Sequence, residues 1–248
     1  KNAIIVGPTF AEYEDACKIN NVSYSFISRG EIETTNYEDH IVFICNPNNP
    51  DGKILRIDEI ERLLITYPKA HFVIDEAYYE FTNKPVSSLS LVSKYSNITI
   101  VRSLTKTFTM PGLRLGYVVS NKNFINELLQ IKMPWSVNSL AIASGKFIFE
   151  NYNSLSFNVE VLMEETELFK AQLNELDFLK VQEGYTSYFL VELQKGTASK
   201  LKEYLVNEHQ ILIRDATNFT GLKGEYIRLA VQDKLANKTL IKALLQWN

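Results

Sequence analysis

His71-Phe72-Val73-Ile74-Asp75-Glu76-Ala77-Tyr78 reads as a short buried strand that stops on a carboxylate. A continuous apolar run of this length, without polar alternation, suits a strand covered on both faces, as in a parallel sheet. Open α/β sheets place their ligands at the carboxyl ends of such strands. Two neighbouring stretches repeat the pattern. Ile41 to Cys45 is an apolar run that breaks into Asn46-Pro47-Asn48-Asn49-Pro50-Asp51-Gly52, and Asn97 to Arg102 delivers Ser103-Leu104-Thr105-Lys106. Two Asn-Pro steps and an Asp-Gly force a non-helical loop, because a residue before proline avoids the α region and glycine accepts positive φ.

Each strand end carries its own chemistry. A lysine amine that is desolvated or close to other cations can condense with an aldehyde, and Arg102 and Arg114 lie near Lys106 in sequence. The hydroxyls of Ser103 and Thr105 suit an anion beside that amine, and an aldehyde that carries a phosphate is pyridoxal phosphate. Asp75 would then pair with the pyridine nitrogen and keep the ring an electron sink, with Tyr78 donating to the ring's phenolic oxygen. Each motif also has a plainer reading. S-x-x-K occurs in unrelated acyl-transfer enzymes, Asp75 could cap a following helix, and Asn-Pro loops are common turns. The order of an Asn loop, an Asp strand end and a Lys strand end, each after its own strand, favours a shared site.

From about residue 3 to about residue 245 the chain resembles the class I/II aminotransferases of pyridoxal-phosphate fold type I. Pro8-Thr9-Phe10 resembles the segment whose aromatic stacks on the ring, which implicates Phe10. Asn49-Pro50-x-Gly52 resembles the loop whose asparagine bonds the phenolic oxygen, and Asp75-x-x-Tyr78 the pyridinium partner with its second phenolic donor. Ser103-x-Thr105-Lys106 resembles the segment in which the lysine carries the cofactor and the hydroxyls bind its phosphate. Gly112-Leu113-Arg114-Leu115-Gly116-Tyr117 resembles the arginine, Arg114, that also holds the phosphate. Ile227-Arg228-Leu229-Ala230 resembles the C-terminal arginine that grips a substrate anion. The stretches 133–141, with Trp135 and Asn138, and 213–222, with Arg214, look closest to the threonine-phosphate decarboxylases of cobamide synthesis. Histidinol-phosphate aminotransferases share most of the scaffold. The resemblance implies Lys106, Asp75 and Tyr78 as catalytic residues. It implies Phe10, Asn49, Asp75, Tyr78, Ser103, Thr105, Lys106 and Arg114 around the cofactor, and Arg214, Arg228 and Asn138 around the substrate.

Two guanidinium forks near one cavity would suit an amino acid with two anionic ends, although a surface ion pair is the plainer reading of either arginine. The resemblance of the stretches 133–141 and 213–222 implies L-threonine-O-3-phosphate decarboxylation as the expected activity, with a histidinol-phosphate-type aminotransferase as the alternative. An inactive fragment or a non-catalytic pyridoxal-phosphate-binding protein is the reading from a different class.

At 248 residues, with 46 % hydrophobic and 22 % charged side chains, the chain has the composition of a soluble globular protein. A formal charge of −3 and the lack of a basic tract argue against nucleic acid. No apolar run reaches the roughly eighteen residues of a spanning helix, so neither a membrane partner nor a secretory route is expected, and a cytoplasmic enzyme fits. Cys17 and Cys45 read as free thiols, and His40, His71 and His209 have no metal-ligand spacing, so no metal is expected. The resemblance implies a homodimer, and it implies a further segment ahead of Lys1.

Strands near 2–6, 22–27, 41–45, 72–75, 98–102 and 114–120, interleaved with helices near 10–20 and 57–66, predict a mainly parallel sheet with flanking helices. Helices follow near 124–132, 138–152 and 154–175. Strands near 187–193, 211–213 and 226–231, with helices near 197–208 and 234–246, predict a small C-terminal α+β unit. The expected division is a cofactor-binding large domain over 1–150, a connecting helix over 151–178, and the small domain over 179–248.

Overall fold

The computed structural model describes residues 2–247; Lys1 and Asn248, the outer ends of the expected domains, lie outside the described residues. Six strands form the larger sheet: β1 (Ala3–Gly7), β2 (Tyr24–Ser28), β3 (Ile41–Cys45), β4 (His71–Asp75), β5 (Ile98–Ser103) and β6 (Gly116–Ser120), in the order β2-β1-β3-β4-β5-β6. The first five are parallel, and β6 runs antiparallel to β5. Alternate residues bury to opposite faces. Ile4, Val6, Val42, Ile44, Phe72, Ile74, Ile98 and Ile100 pack with Ile60 and Leu64 of α2 (Ile57–Thr66), while Ala3, Ile5 and Cys45 pack with Tyr13 and Cys17 of α1 (Glu12–Ile19). Such two-sided covering is why these strands read as unbroken apolar runs. Then follow α3 (Lys122–Ile131), α4 (Ser139–Glu150) and the single turn α5 (Tyr152–Leu155).

The chain continues as α6 (Val159–Asn174), β7 (Leu179–Val181), β8 (Tyr188–Leu193), α7 (Ala198–His209), β9 (Arg214–Asp215), β10 (Tyr226–Ala230) and α8 (Lys234–Leu245). The four strands form a second, antiparallel sheet ordered β7-β8-β10-β9. Its core joins Phe189, Val191, Ile227 and Leu229 to Leu201, Leu205, Leu240 and Leu244, and also to Phe169 and Leu173 of α6. The architecture is the expected α/β class, a mainly parallel sheet with flanking helices beside a smaller α+β unit.

Several elements differ from the sequence reading. The helix expected over 154–175 is interrupted, because the Asn158 side chain caps α6 by accepting from the N–H groups of Glu160 (3.1 Å) and Val161 (3.3 Å). The run 211–213 is not a strand. Gln210 takes a left-handed φ of 58° at the end of α7, and the Ile211 N–H closes back on Leu205 O (2.9 Å), so pairing begins only at Arg214. Strand β6 starts two residues later than expected, since Arg114 itself is left-handed at φ 52°. The three-residue β7 was not anticipated.

The two sheets meet at the loop after β3. Tyr188 donates its hydroxyl to Asn48 O (3.0 Å), and the Tyr185 N–H reaches Gly52 O (2.9 Å). Gly52 has φ 67°, and a Cβ there would lie 2.3 Å from Thr186 Oγ1 and 2.9 Å from Tyr188 O. Only glycine allows both that backbone and that approach.

Candidate active site

Parallel register brings the sequence-predicted strand ends side by side: Cys45 pairs with Asp75, and Asp75 with Val101, two residues short of Ser103. Asp75 Oδ2 accepts from the Tyr13 hydroxyl (2.6 Å) and Oδ1 from the Ala77 N–H (2.9 Å). Burial pushes the Asp75 carboxyl up, and the Tyr13 hydroxyl, the Ala77 N–H and the charge of Lys106 pull it back down. Tyr13 stacks on Phe43, ring centres 5.3 Å apart, and burial, then the nearby Cys45 and Asp75, hold its phenol well above the ordinary range. It is therefore a neutral donor to a carboxylate. Cys45, fully enclosed, has its thiol pushed up to about 12 by burial and by Asp75, so it is no nucleophile at neutral pH.

Tyr78 packs against Tyr188 (4.7 Å between ring centres), and Lys106 Nζ lies 5.7 Å from the Tyr78 ring centre. Burial raises the Tyr78 phenol, and the charge of Arg228 opposes the rise. The Ser103 and Thr105 hydroxyls are 2.8 Å apart, and the Thr105 N–H points to Ser103 Oγ (3.3 Å).

Asn48 and Asn49 are both buried but differ in use. Asn48 is consumed within the loop, accepting from Thr9 (2.8 Å) and donating to Asp51 (2.8 Å) and Pro8 O (2.9 Å). Asn49 Oδ1 accepts from Arg228 Nη1 (2.5 Å), which leaves its amide N–H groups for a ligand, since a guanidinium can only donate. Arg228 reaches this place from β10, 6.0 Å from the Tyr188 ring centre. Arg214 on β9 is its direct cross-strand partner. Opposed residues of an antiparallel pair share a face, where like charges repel. Arg214 is exposed, donates to Asn218 (3.0 Å) and lies 5.6 Å from the Phe219 ring centre.

The remaining expectations meet different surroundings. Phe10 is 43 % exposed and meets Tyr13 edge-on at 5.9 Å. Arg114 is exposed and donates to Pro111 O (2.9 Å); among the described residues no hydrogen bond joins it to Ser103 or Thr105. Asn138 caps α4 through the Ala141 N–H (2.9 Å) and ties it to Leu113 O (3.2 Å), three residues before Gly116 and one before Arg114. Trp135 is 96 % exposed. Sequence reading missed Tyr13, the polar partner of Asp75. It also missed the buried ion pair of Glu76 with Arg102, whose two residues each adjoin a predicted one. That adjacency was the available signal: charged residues directly beside strand-end motifs, on strands too apolar to leave them unpaired. Among the described residues no group of three potential ligands could hold a metal, and no helix is long and apolar enough to cross a membrane.

The fold and this assembly of strand-end residues define an enzyme of pyridoxal-phosphate fold type I. The profile of the family described as Aminotransferase class I and II matches residues 1–244, and the chain belongs to that family. The structure is similar to that of L-threonine-O-3-phosphate decarboxylase from Porphyromonas gingivalis, with a TM-score of 0.95 and 38 % identity over 99 % of this chain and 76 % of that one. It is similar to histidinol-phosphate aminotransferase from Clostridium acetobutylicum, with a TM-score of 0.90 and 30 % identity over 98 % of this chain and 77 % of the other. In sequence it is 34 % identical, over 98 % of its length and 70 % of the relative's, to a protein provisionally named threonine-phosphate decarboxylase in Caldanaerobacter subterraneus subsp. tengcongensis.

The family is pyridoxal-phosphate-dependent, and the donor set suits that cofactor. A carboxylate has about four acceptor sites, of which Tyr13 and Ala77 use two at Asp75, leaving room for a pyridinium N–H. Asn49 and Tyr78 can donate to a phenolic oxygen. Lys106 supplies a primary amine, and the Ser103 and Thr105 hydroxyls can turn from each other to a phosphate.

Proposed function

We propose that the protein decarboxylates a phosphorylated amino acid, most closely L-threonine O-3-phosphate, with Lys106, Asp75 and Tyr78 as its catalytic residues. The observation that carries this reading is the facing pair Arg214 and Arg228 on β9 and β10, the inner one already bonded to Asn49. Two guanidiniums held on one face repel each other until anions lie between or over them, so the pair favours a substrate with two anionic groups. The similarity to the Porphyromonas gingivalis decarboxylase supports the same substrate class.

Asp75, Asn49, Tyr78, Ser103, Thr105 and Lys106 would hold the cofactor, with Phe10 and Arg114 at its margin. When bound, pyridoxal phosphate supplies an electron sink conjugated with the substrate's Cα. Asp75 would pair with the protonated ring nitrogen; burial raises its basicity, and the Tyr13 hydroxyl opposes that rise by stabilising the carboxylate. Arg214 and Arg228 decide which Cα bond breaks. If they held the phosphate, the carboxylate would be left free to depart as CO2 with its bond electrons drawn into the bound cofactor, and Lys106 Nζ would supply the proton that replaces it at Cα. If Arg228 instead held the carboxylate, Lys106 would act as the base for the Cα proton, the role that transamination requires. That second outcome is favoured by the similarity to histidinol-phosphate aminotransferase. Asn138, capping α4 beside Arg114, belongs to the scaffold of the substrate side. We read the enzyme as a cytoplasmic homodimer, for which light scattering after gel filtration is the direct measurement.

The test is an assay of purified protein with pyridoxal phosphate and O-phosphothreonine. Release of CO2 without a keto acid is expected. Keto-acid formation from histidinol phosphate or another amino donor, with no CO2, would replace this reading by the aminotransferase. Lys106→Ala must abolish both the reaction and the visible absorbance of bound cofactor.

A further inference from the structure

Among the described residues Lys106 stands in a turn without sheet bonds of its own, yet the residues on both sides of its motif are tied to one stretch of chain. Ahead of it, Arg102 donates to Glu76 Oε2 through Nε (3.0 Å) and Nη2 (2.7 Å). Immediately after it, the Thr107 hydroxyl donates to Glu80 Oε2. Glu76 and Glu80 lie on either side of Tyr78, in the segment that leaves Asp75. The two anchors also touch each other. The Arg102 guanidinium carbon sits 3.7 Å from the Tyr79 ring centre, and the Tyr79 hydroxyl is 3.1 Å from Glu80 Oε1. Tyr152 of α5 completes the cluster: its hydroxyl donates to Glu80 Oε1, stands 2.7 Å from the Tyr79 hydroxyl, and its ring meets Phe108 edge-on at 5.7 Å.

We propose that Glu80 is a positioning residue: by accepting the Thr107 and Tyr152 hydroxyls it fixes Lys106 at its separation from Asp75 and Tyr78 and ties that separation to α5. Hydroxyl-to-carboxylate bonds are short and strong, and a half-buried carboxylate served by three hydroxyls fixes position more tightly than a flexible surface ion pair. The Lys106 side chain has four rotatable bonds, so its amine is placed no better than its Cα. Phe108, directly beyond Thr107, leans on the same Tyr152 ring, so α5 holds the turn both by hydrogen bonding and by packing. From α5 the chain runs into α6, whose Phe169 and Leu173 sit in the core of the second sheet, the one that carries Arg214 and Arg228. Glu80 thus lies on the connection between the amine and the substrate-facing arginines. The inference rests on the assignment of Lys106 and Asp75 made above.

Thr107→Val removes the hydroxyl at nearly constant volume, Thr107→Ser restores it, and Tyr152→Phe removes the other donor. The first readout is the Asp75 carboxyl titrated by carbon-13 NMR in cofactor-free protein. The groups that face this carboxyl are Tyr13 from α1, Cys45 from β3, and Tyr78 and Lys106 from the adjoining loops. If the Val variant lets the Lys106 charge drift away, the Asp75 midpoint rises, because that charge favours the carboxylate, and the Ser variant returns it. In the loaded enzyme, kcat falls roughly 10- to 100-fold with KM within about threefold, as expected for a misplaced reacting group. A merely structural role would lower the melting temperature and leave the midpoint unmoved. An unchanged midpoint in both Thr107→Val and Tyr152→Phe, or equal shifts in Thr107→Val and Thr107→Ser, would overturn the proposal. The NMR readout needs no turnover, so it stands apart from failure of the proposed reaction.

Discussion

Arg102→Met isolates the buried ion pair beneath the site. The Glu76 carboxylate is fully enclosed and the Arg102 side chain is 8 % exposed. The substitution removes two charge-assisted bonds of 3.0 and 2.7 Å to Glu76, the 2.6 Å bond to Ser87, and the stacking on Tyr79. It leaves Glu76 with the Ser88 N–H at 2.5 Å and the Ser87 hydroxyl at 3.2 Å. Removing one partner of such a pair costs about 3–5 kcal/mol, because the other charge stays buried without compensation. For a chain of this size each kcal/mol moves the melting temperature by roughly 2–4 °C, so the loss is roughly 6–20 °C at pH 8. The loss should also depend on pH. Burial already raises the Glu76 carboxyl above its usual 4.5, with the Ser88 N–H and then Arg102 opposing the rise. Without Arg102 it rises further. A carboxyl with a raised folded-state pKa binds more protons folded than unfolded, so its contribution favours folding below the unfolded pKa and is lost as pH climbs through the folded one. The variant therefore recovers part of its deficit as pH falls from 8 toward 5, by protonating Glu76. Circular-dichroism melts of cofactor-free wild type and variant at pH 8 and pH 5.5 measure this directly. An equal deficit at both values, or one below about 1 kcal/mol, would refute the claim that an unpaired buried charge is what destabilises the variant.

Arg228→Ala should raise KM for a phosphorylated substrate by roughly 10- to 150-fold, the worth of a charge-assisted hydrogen bond of about 1.5–3 kcal/mol. Arg214→Ala, at a more exposed site, should raise it less, and initial-rate kinetics on the two variants would expose a wrong ranking. Tyr13→Phe removes the 2.6 Å donor that favours the charged form of Asp75, so the acid limb of the kcat/KM profile should move to higher pH; a limb that stays put would separate Tyr13 from Asp75. Asn138→Ala deletes the cap of α4 and should cost about 1 kcal/mol, or roughly 2–4 °C, in a thermal melt. A much larger loss of cofactor affinity in that variant would mean that Asn138 does more than cap.

The sequence by itself determined the sheet and the residues gathered at its edge. A strand covered on both faces has to be apolar along its whole length, so the runs at 41–45, 72–75 and 98–102 were legible as parallel strands, and the order of the polar motifs at their ends favoured one shared site over separate turns and caps. Parallel register then aligns those ends whatever the loops do. The break at Asn158 has a local cause, a capping side chain, but the apolar pattern around it read as one helix over 154–175. What only the tertiary structure decided are contacts between residues far apart in the chain. Nothing in the neighbourhood of Tyr13 marks it as the donor to Asp75, 62 residues away, nor Tyr152 as a donor to Glu80, 72 residues away. The pairing of Arg214 with Arg228 depended on where β9 begins, which was set by the left-handed end of α7 and not by the apolar run 211–213. Burial and backbone periodicity are properties of a segment and leave their mark in its composition. Hydrogen bonds across the fold depend on the placement of two segments at once, and no single stretch of sequence carries that information.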